Sequence, residues 1–284
     1  MTSPRDENGR SKSGAGQPDL RRELAADIRA HCMRMTHRGQ SGHLGSMLSL
    51  ADILAVLYSG VLRIDPQRPD DPDRDRLILG KGHAGAALYA VLGERGFFPK
   101  EWYEGYYRDG GKLMGHASHH VPGVEFSTGS LGHGLSVAVG MALAARHDGR
   151  KHRVFCLVSD GDCNEGSTWE AIMFAARHGL DNLVAIVDYN RVQALGAMEE
   201  VIEMEPFAEK LRAFGWATQT VDGHDISALE ATFETLPFAP GRPSWVLART
   251  VKGKGVSWLE NTVASHYGAL NDEQLPRALA EIGR

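Results

Sequence analysis

The chain has 284 residues, of which 42% are hydrophobic and 24% charged, the proportions of a globular protein. Thirty-one Lys and Arg against 36 Asp and Glu leave a net charge of −5, which argues against a nucleic-acid binder with its basic stripe. The longest apolar runs, 154–158 and 183–187, fall far short of the ~20 residues of a membrane span. Three cysteines without a CxxC pair speak against a disulfide framework or a Cys-rich zinc site and favour a reducing, cytoplasmic setting. Glycine (33) and histidine (13) are abundant, and they cluster together in short loops.

In chain order, residues 1–18 are polar and Gly/Ser-rich, which predicts a disordered tail ahead of one domain over 19–284. Asp19 is a fitting N-cap for a helix to about Arg38, with Leu20, Leu24, Ile28 and Cys32 at fourfold spacing. A second apolar helix is expected over Ser49–Val61, a short strand over Leu77–Leu79, and helices over Ala84–Gly93 and Leu135–Arg146. Strand 154–159, a helix over 168–178 and strand 183–188 then read as a right-handed crossover between parallel strands. Strands at Trp216–Val221 and Trp245–Thr250 flank a helix at Ile226–Leu236. The alternation predicts an α/β protein: a doubly wound parallel sheet with helices on both faces.

In such a sheet ligands collect beyond the carboxyl ends of the strands. One strand runs into Asp160-Gly161-Asp162 and the next into Asp188-Tyr189-Asn190. The crossover should return Asp160 and Asn190 to the same edge. With the loop carbonyl of Val192 they would form an oxygen-only half shell of the kind that holds Mg²⁺. On spacing alone, a plain strand-ending turn accounts for these residues equally well. Gly129, Gly132 and Gly134 open a helix whose amides suit an anion, or simply supply positive φ. Lys252-Gly253-Lys254-Gly255 lacks the Walker A spacing. His116-Ala117-Ser118-His119-His120 lacks the further ligands of a zinc site.

The run Asp160-Gly161-Asp162-Cys163-Asn164-Glu165-Gly166, continuing through Glu170-Ala171 and Ala175 to Asn182-Leu183 and Asn190, resembles the thiamine-diphosphate-binding motif. It departs at Ser159, where the motif has glycine and where a side chain is expected to crowd the diphosphate. Ser41-Gly42-His43, Lys81-Gly82-His83, Gly115-His116, the stretch 122–125, Thr128 to Gly134, Val251 to Val256 and Ser265-His266 follow one another as in the N-terminal part of transketolases, which the chain resembles from residue 19 on.

The resemblance implies thiamine diphosphate bound by His83, Gly129, Ser130, Leu131, Asp160, Gly161, Asn190 and His266. It implies Mg²⁺, with Ca²⁺ or Mn²⁺ as substitutes, on Asp160, Asn190 and Val192. It places His43, His83, His116 and His266 in a substrate channel, where they bind donor hydroxyls and assist proton transfer. Glu165 corresponds to an interface glutamate that reaches the partner's catalytic glutamate, although its position also suits a solvated carboxylate at a helix start. His133 stands where full-length transketolases carry Gln, and 267–270 lacks their proline; both differences fit a divergent substrate or a two-chain branch.

No pyrimidine-binding domain is recognised in the sequence, so the resemblance implies the N-terminal subunit of a split transketolase. Such a subunit would act on sugar phosphates with a separate C-terminal subunit, in an α2β2 assembly. The competing readings are a subunit of a 2-oxoacid dehydrogenase or deoxyxylulose-phosphate synthase type, and a non-catalytic binding domain. The histidine set tells against the dehydrogenase, and the retained Asp160, Asn190 and histidines tell against an idle domain.

Overall fold

Successive side chains of a strand point to opposite faces, and here both faces are apolar. The computed structural model describes residues 19–284; the tail expected to be disordered lies outside them. Its strands are β1 (Arg76–Leu79), β2 (Val154–Ser159), β3 (Leu183–Tyr189), β4 (Ala217–Asp222) and β5 (Ser244–Arg249), all parallel, in the order β1-β2-β3-β5-β4. Along β2, Phe155 and Leu157 enter one core while Val154, Cys156 and Val158 enter the other. Along β3, Val184 and Ile186 alternate in the same way with Leu183, Ala185 and Val187. Continuous apolar runs therefore form central strands, and the half-exposed Thr218–Thr220 stretch of β4 is an edge.

The helices are α1 (Leu20–Gly39), α2 (Leu44–Ser49), α3 (Ala51–Val56), α4 (Gly85–Glu94), α5 (His133–His147), α6 (Gly166–Arg177), α7 (Met198–Val201), α8 (Phe207–Ala213), α9 (Ile226–Glu234) and α10 (Gln274–Glu281). α1 packs on α3 and α4 over one face of the sheet, and α5 and α6 pack together over the other. Asp19 caps α1 through its side chain, which accepts from Arg21 N at 3.1 Å.

The single helix expected over 49–61 is instead α2 and α3, followed by an irregular turn at Leu57–Val61. Helical structure begins earlier, straight after His43, and breaks at Leu50, whose φ/ψ of −98°/2° is not helical. The break adjoins Ser49, whose hydroxyl donates to Asp188 Oδ2 of β3 at 2.5 Å, a long-range contact that periodicity cannot register. The turn at α10 carried a signal that was not used: Asn271 N donates to Gln274 Oε1 (3.1 Å) and Gln274 N to Asn271 Oδ1 (2.8 Å), a reciprocal cap.

At the amino end of the sheet charges are closed off. Asp75, with no exposed side-chain surface, accepts from the backbone and guanidinium of both Arg63 and Arg153. Burial by itself would raise its carboxyl; these donors hold it below the ordinary 3.8. Asp75→Asn should cost about 3 kcal/mol at neutral pH, at the low end for a broken buried pair because Arg63 is half exposed. A depressed carboxyl stabilises above its unfolded pKa and stops doing so as pH falls through the folded value. Urea denaturation of wild type and variant should therefore show a gap that is full at neutral pH and narrows below about pH 4.

Candidate functional site

The opposite, carboxyl edge of the sheet gathers groups from four strand ends: Lys81 and His83 after β1, Asp160 after β2, Asn190 after β3 and Lys252 beyond β5. His83, Asp160, Asn190 and Lys252 line a cleft of about 420 Å³.

Beneath it lies the pair Lys81–Asp188, neither with exposed side-chain surface. Lys81 Nζ donates to Asp188 Oδ2 and to Ser46 O (3.1 Å). Asp188 also accepts from Ser49 Oγ, from Thr250 Oγ1 and from Asn190 Nδ2 at 3.2 Å. Burial would raise this carboxyl, but the charge of Lys81 and these donors hold it below its usual range, so it stays ionised. Because Asn190 gives its amide nitrogen to Asp188, its Oδ1 points the other way and accepts from Val192 N at 3.1 Å.

Asp160 accepts from Gly161 N (2.9 Å) and from Arg191 N (2.8 Å); the second bond joins the ends of β2 and β3. Burial and the nearby Asp188 push Asp160 up to about 6, against the pull of Lys81 and Lys252. The Val192 carbonyl accepts from Lys252 Nζ at 2.6 Å, and burial lowers that amine to about 8. A carboxylate, a carboxamide oxygen and a peptide carbonyl are the hard donors a small divalent cation takes. The Val192 oxygen is already turned to receive positive charge, so this donor set fits such an ion.

The four histidines meet around His43. Its ring centroid lies 5.0 Å from that of His83, 5.9 Å from His116 and 4.8 Å from His266. His43 itself has φ 71°, a left-handed conformation costing about 1–3 kcal/mol in a non-glycine residue, and its N–H is held by His266 O at 2.7 Å. Burial lowers all of His43, His83 and His266, with neighbouring positive charge adding to it; His266 falls to about 4. Near neutral pH these three are uncharged rings, each with one donor and one acceptor nitrogen. Tyr89 Oη anchors the His116 carbonyl at 2.5 Å.

The glycine loops allow this crowding. A Cβ on Gly82 would run into the Thr128 carbonyl, and Gly132, at φ 84°, would meet Ser167 Oγ at 2.5 Å. Gly132 is the N-cap of α5, and its N–H goes to Asp162 Oδ1 (2.9 Å), so a carboxylate of the chain already uses that amide. The same Asp162 accepts from Ser159 N and Ser159 Oγ, both at 2.8 Å. The Ser159 hydroxyl is thus tied into the turn by Asp162, while the residue still lines the cleft where the crowding is expected. Gly129, Leu131, Gly161 and Glu165 also line the cleft, Glu165 exposed at the start of α6 with no side-chain cap bond. Ser130 is exposed and outside the lining.

Sequence reasoning passed over Lys81, Asp162, Asp188 and Thr250 as site residues and set Lys252 aside with its glycine motif. The usable signal was a charge closing the apolar run 183–188, since a buried carboxylate requires a partner. Among the described residues there is no group of three or more His, Cys, Asp or Glu placed to hold a metal, and no helix is long and apolar enough to cross a membrane.

A family profile for the transketolase thiamine diphosphate binding domain matches residues 20–283. The chain belongs to the transketolase family. It is 43% identical over 242 residues to 6-deoxy-6-sulfo-D-fructose transketolase subunit SqwG of Clostridium sp. (strain MSTE9), covering 85% of this chain and 88% of that relative. It is 38% identical over 254 residues to an apulose-4-phosphate transketolase subunit of Phocaeicola vulgatus, covering 89% and 90%. The structure of transketolase from Campylobacter jejuni superposes with a TM-score of 0.89 and 32% identity over 94% of this chain, but only 43% of its own length is covered. Against transketolase-like protein 2 of Bos taurus the match spans 40% of the relative.

In this transketolase domain, Lys81→Met should cost about 3–5 kcal/mol, because it strands the buried Asp188 carboxylate. Adding Asp188→Asn should recover much of that loss, since no bare charge remains. Denaturation of the two variants checks both.

Proposed function

We propose that this chain is the cofactor-holding, N-terminal subunit of a two-chain transketolase. It would move a two-carbon ketol unit from a ketose phosphate to an aldose, with thiamine diphosphate and Mg²⁺. The observation that carries this reading is the convergence, on one sheet edge, of four imidazoles with the Asp160, Asn190 and Val192 oxygens. The extent of the matches, 88% and 90% of two chains named as transketolase subunits, supports the two-chain arrangement. Three free, buried cysteines among the described residues are in keeping with a cytoplasmic setting.

Asp160, Asn190 and the Val192 carbonyl would hold Mg²⁺, which neutralises diphosphate charge when bound. Lys252, already at the Val192 carbonyl, would share that task. Thiamine diphosphate, when bound, supplies the carbon centre that carries the two-carbon unit. Uncharged His43, His83 and His266 can each accept a proton at one ring nitrogen and donate from the other, so they can hold sugar hydroxyls and pass protons without a fixed positive charge. Glu165, exposed at the cleft mouth, would meet the second chain. The outward face of α5, with Ser136, Gly140 and Ala144 exposed and open space around Gly140, would let a partner helix approach closely in an α2β2 assembly.

Asp160→Ala should abolish Mg²⁺-dependent thiamine-diphosphate binding in calorimetry of the assembly reconstituted with the second chain, while leaving the fold intact; unchanged affinity removes the metal assignment. His116→Ala should leave that affinity unchanged and lower ketose-phosphate turnover roughly tenfold to a hundredfold, the loss of one substrate hydrogen bond at about 1–3 kcal/mol. Ketol transfer should appear only when a second, pyrimidine-domain chain is added. Full turnover by the chain alone overturns the two-chain reading.

A further inference from the structure

Outside the cleft, a buried line of hydrogen bonds runs from α1 to the backbone beside Lys252. Arg29 on α1 meets Asp52 on α3 through both guanidinium nitrogens, Nη1 to Oδ1 at 3.1 Å and Nη2 to Oδ2. Asp52 Oδ2 is also 2.8 Å from Nδ1 of His224, which sits in the turn after β4. Across the ring, His224 Nε2 lies 2.8 Å from Val251 N.

A backbone amide can only donate, so Nε2 is the bare nitrogen and Nδ1 carries the proton given to Asp52. Both acid and arginine are buried, at 7% and 8% exposure. Burial would raise Asp52, yet the hydrogen bond from His224 and the charge of Arg29 hold it below its ordinary value. The ring is therefore gripped from behind by an ion pair, in one tautomer.

What it grips in front is a short lever. Val251 stands between Thr250, whose hydroxyl donates to Asp188, and Lys252, whose Nζ reaches Val192 O at 2.6 Å and lies 3.1 Å from His266 Nδ1. Gly253 N is fixed to Gly45 O at 3.0 Å on the next residue. The Val251 amide is the one peptide N–H in this span held by a side chain from another strand's end. His224 does not itself line the cleft.

We propose that His224 is a positioning residue: anchored on Asp52 and accepting the Val251 N–H, it sets the strand end from which Lys252 reaches the cation and diphosphate side of the cleft. The inference rests on the cofactor reading above and adds to it a residue that touches neither cofactor nor substrate.

Three full-length proteins test it. His224→Gln keeps one acceptor and one donor on a neutral group. His224→Phe keeps a ring without either. In the Phe variant, reconstituted like the others with a pyrimidine-domain chain, thiamine diphosphate with Mg²⁺ should bind roughly tenfold more weakly by calorimetry, the scale of effect seen for outer-shell partners. Its Val251 amide should also exchange faster with solvent in NMR. The Gln variant should restore both, which a purely bulk-filling role would not allow. Nitrogen-15 spectra of the wild-type chain should show a protonated Nδ1 and a bare Nε2 on His224. A protonated Nε2, or undiminished cofactor affinity in the Phe variant, overturns the proposal. Should the Phe variant fail to fold, the wild-type tautomer and the Gln variant's affinity still decide it. If wild type, reconstituted with a pyrimidine-domain chain, does not bind thiamine diphosphate, it is the cofactor reading that falls.

Discussion

Everything at the carboxyl edge of this sheet is arranged around one buried ion pair. Lys81 and Asp188 leave two separate strand ends and meet where neither has contact with water. A charge buried alone is prohibitively unfavourable, and even a pair is stabilising only when its remaining hydrogen-bonding capacity is met. Here the capacity is met by the structure that the site needs: Ser46 O and Ser49 from α2, Thr250 after β5, and the Asn190 amide. The pair thus fixes the distance between α2, which carries His43 at its start, and the strands that carry Asp160 and Asn190. It also decides which face Asn190 shows. A carboxamide has one oxygen and one nitrogen, and giving the nitrogen to Asp188 turns the oxygen the other way, where it accepts from Val192 N and keeps a second lone pair.

The two ends of the sheet answer the same electrostatic problem in opposite ways. At the amino end, Asp75 takes two arginines and Glu125 pairs with Arg74, so each buried charge is balanced locally. At the carboxyl end, balance is incomplete. Asp160 is pushed up to about 6, Lys252 is brought down to about 8, and three histidines are held uncharged. Groups displaced in this manner, with their charges not balanced by a fixed partner, are ready to change their charge or partner when an ion or anion arrives.

What could be read from the residues alone follows the range over which each determinant acts. Strands β2, β3 and β5 declare themselves through unbroken apolar runs, and α1 through Asp19 and its fourfold spacing, because these are local patterns. Asp160 and Asn190 were reachable because a crossover of that length must return to the same edge. The histidines were not reachable by physics. They lie in four loops spread from residue 43 to residue 266, and only the family resemblance joined them before their rings were seen within 6 Å of His43. Lys252 was set aside with a glycine motif of the wrong spacing, and no local pattern singles out His224. Both owe their roles to partners dozens of residues away.

The cleft is polar within and apolar at its rim, and this gradient bears on how the work of the site is divided. Inside, long-range bonds hold the His43 N–H on His266 O, the His116 carbonyl, Asp160 and the Val192 carbonyl. Toward the mouth the wall passes to the loop 191–202, where Leu195 is 83% exposed and Ile202 52% exposed although both are large and apolar. That loop is tied at its base by Asp160 on Arg191 N and Lys252 on Val192 O, and farther out by Gln193 Nε2 on Asn164 Oδ1 (2.7 Å), by the Val192–Ala197 bridge and by Tyr267 Oη on Ala194 O (2.9 Å). Covering these two side chains would contribute up to about 1.5–3 kcal/mol for Leu195 and less for the half-exposed Ile202. The proposed second chain would therefore gain binding energy at the rim while leaving the rigid inner end untouched. On this division, the groups proposed to hold the cofactor would be set by buried bonds within this chain. In the proposed assembly, discrimination among sugars would fall to the part of the wall that two chains build together.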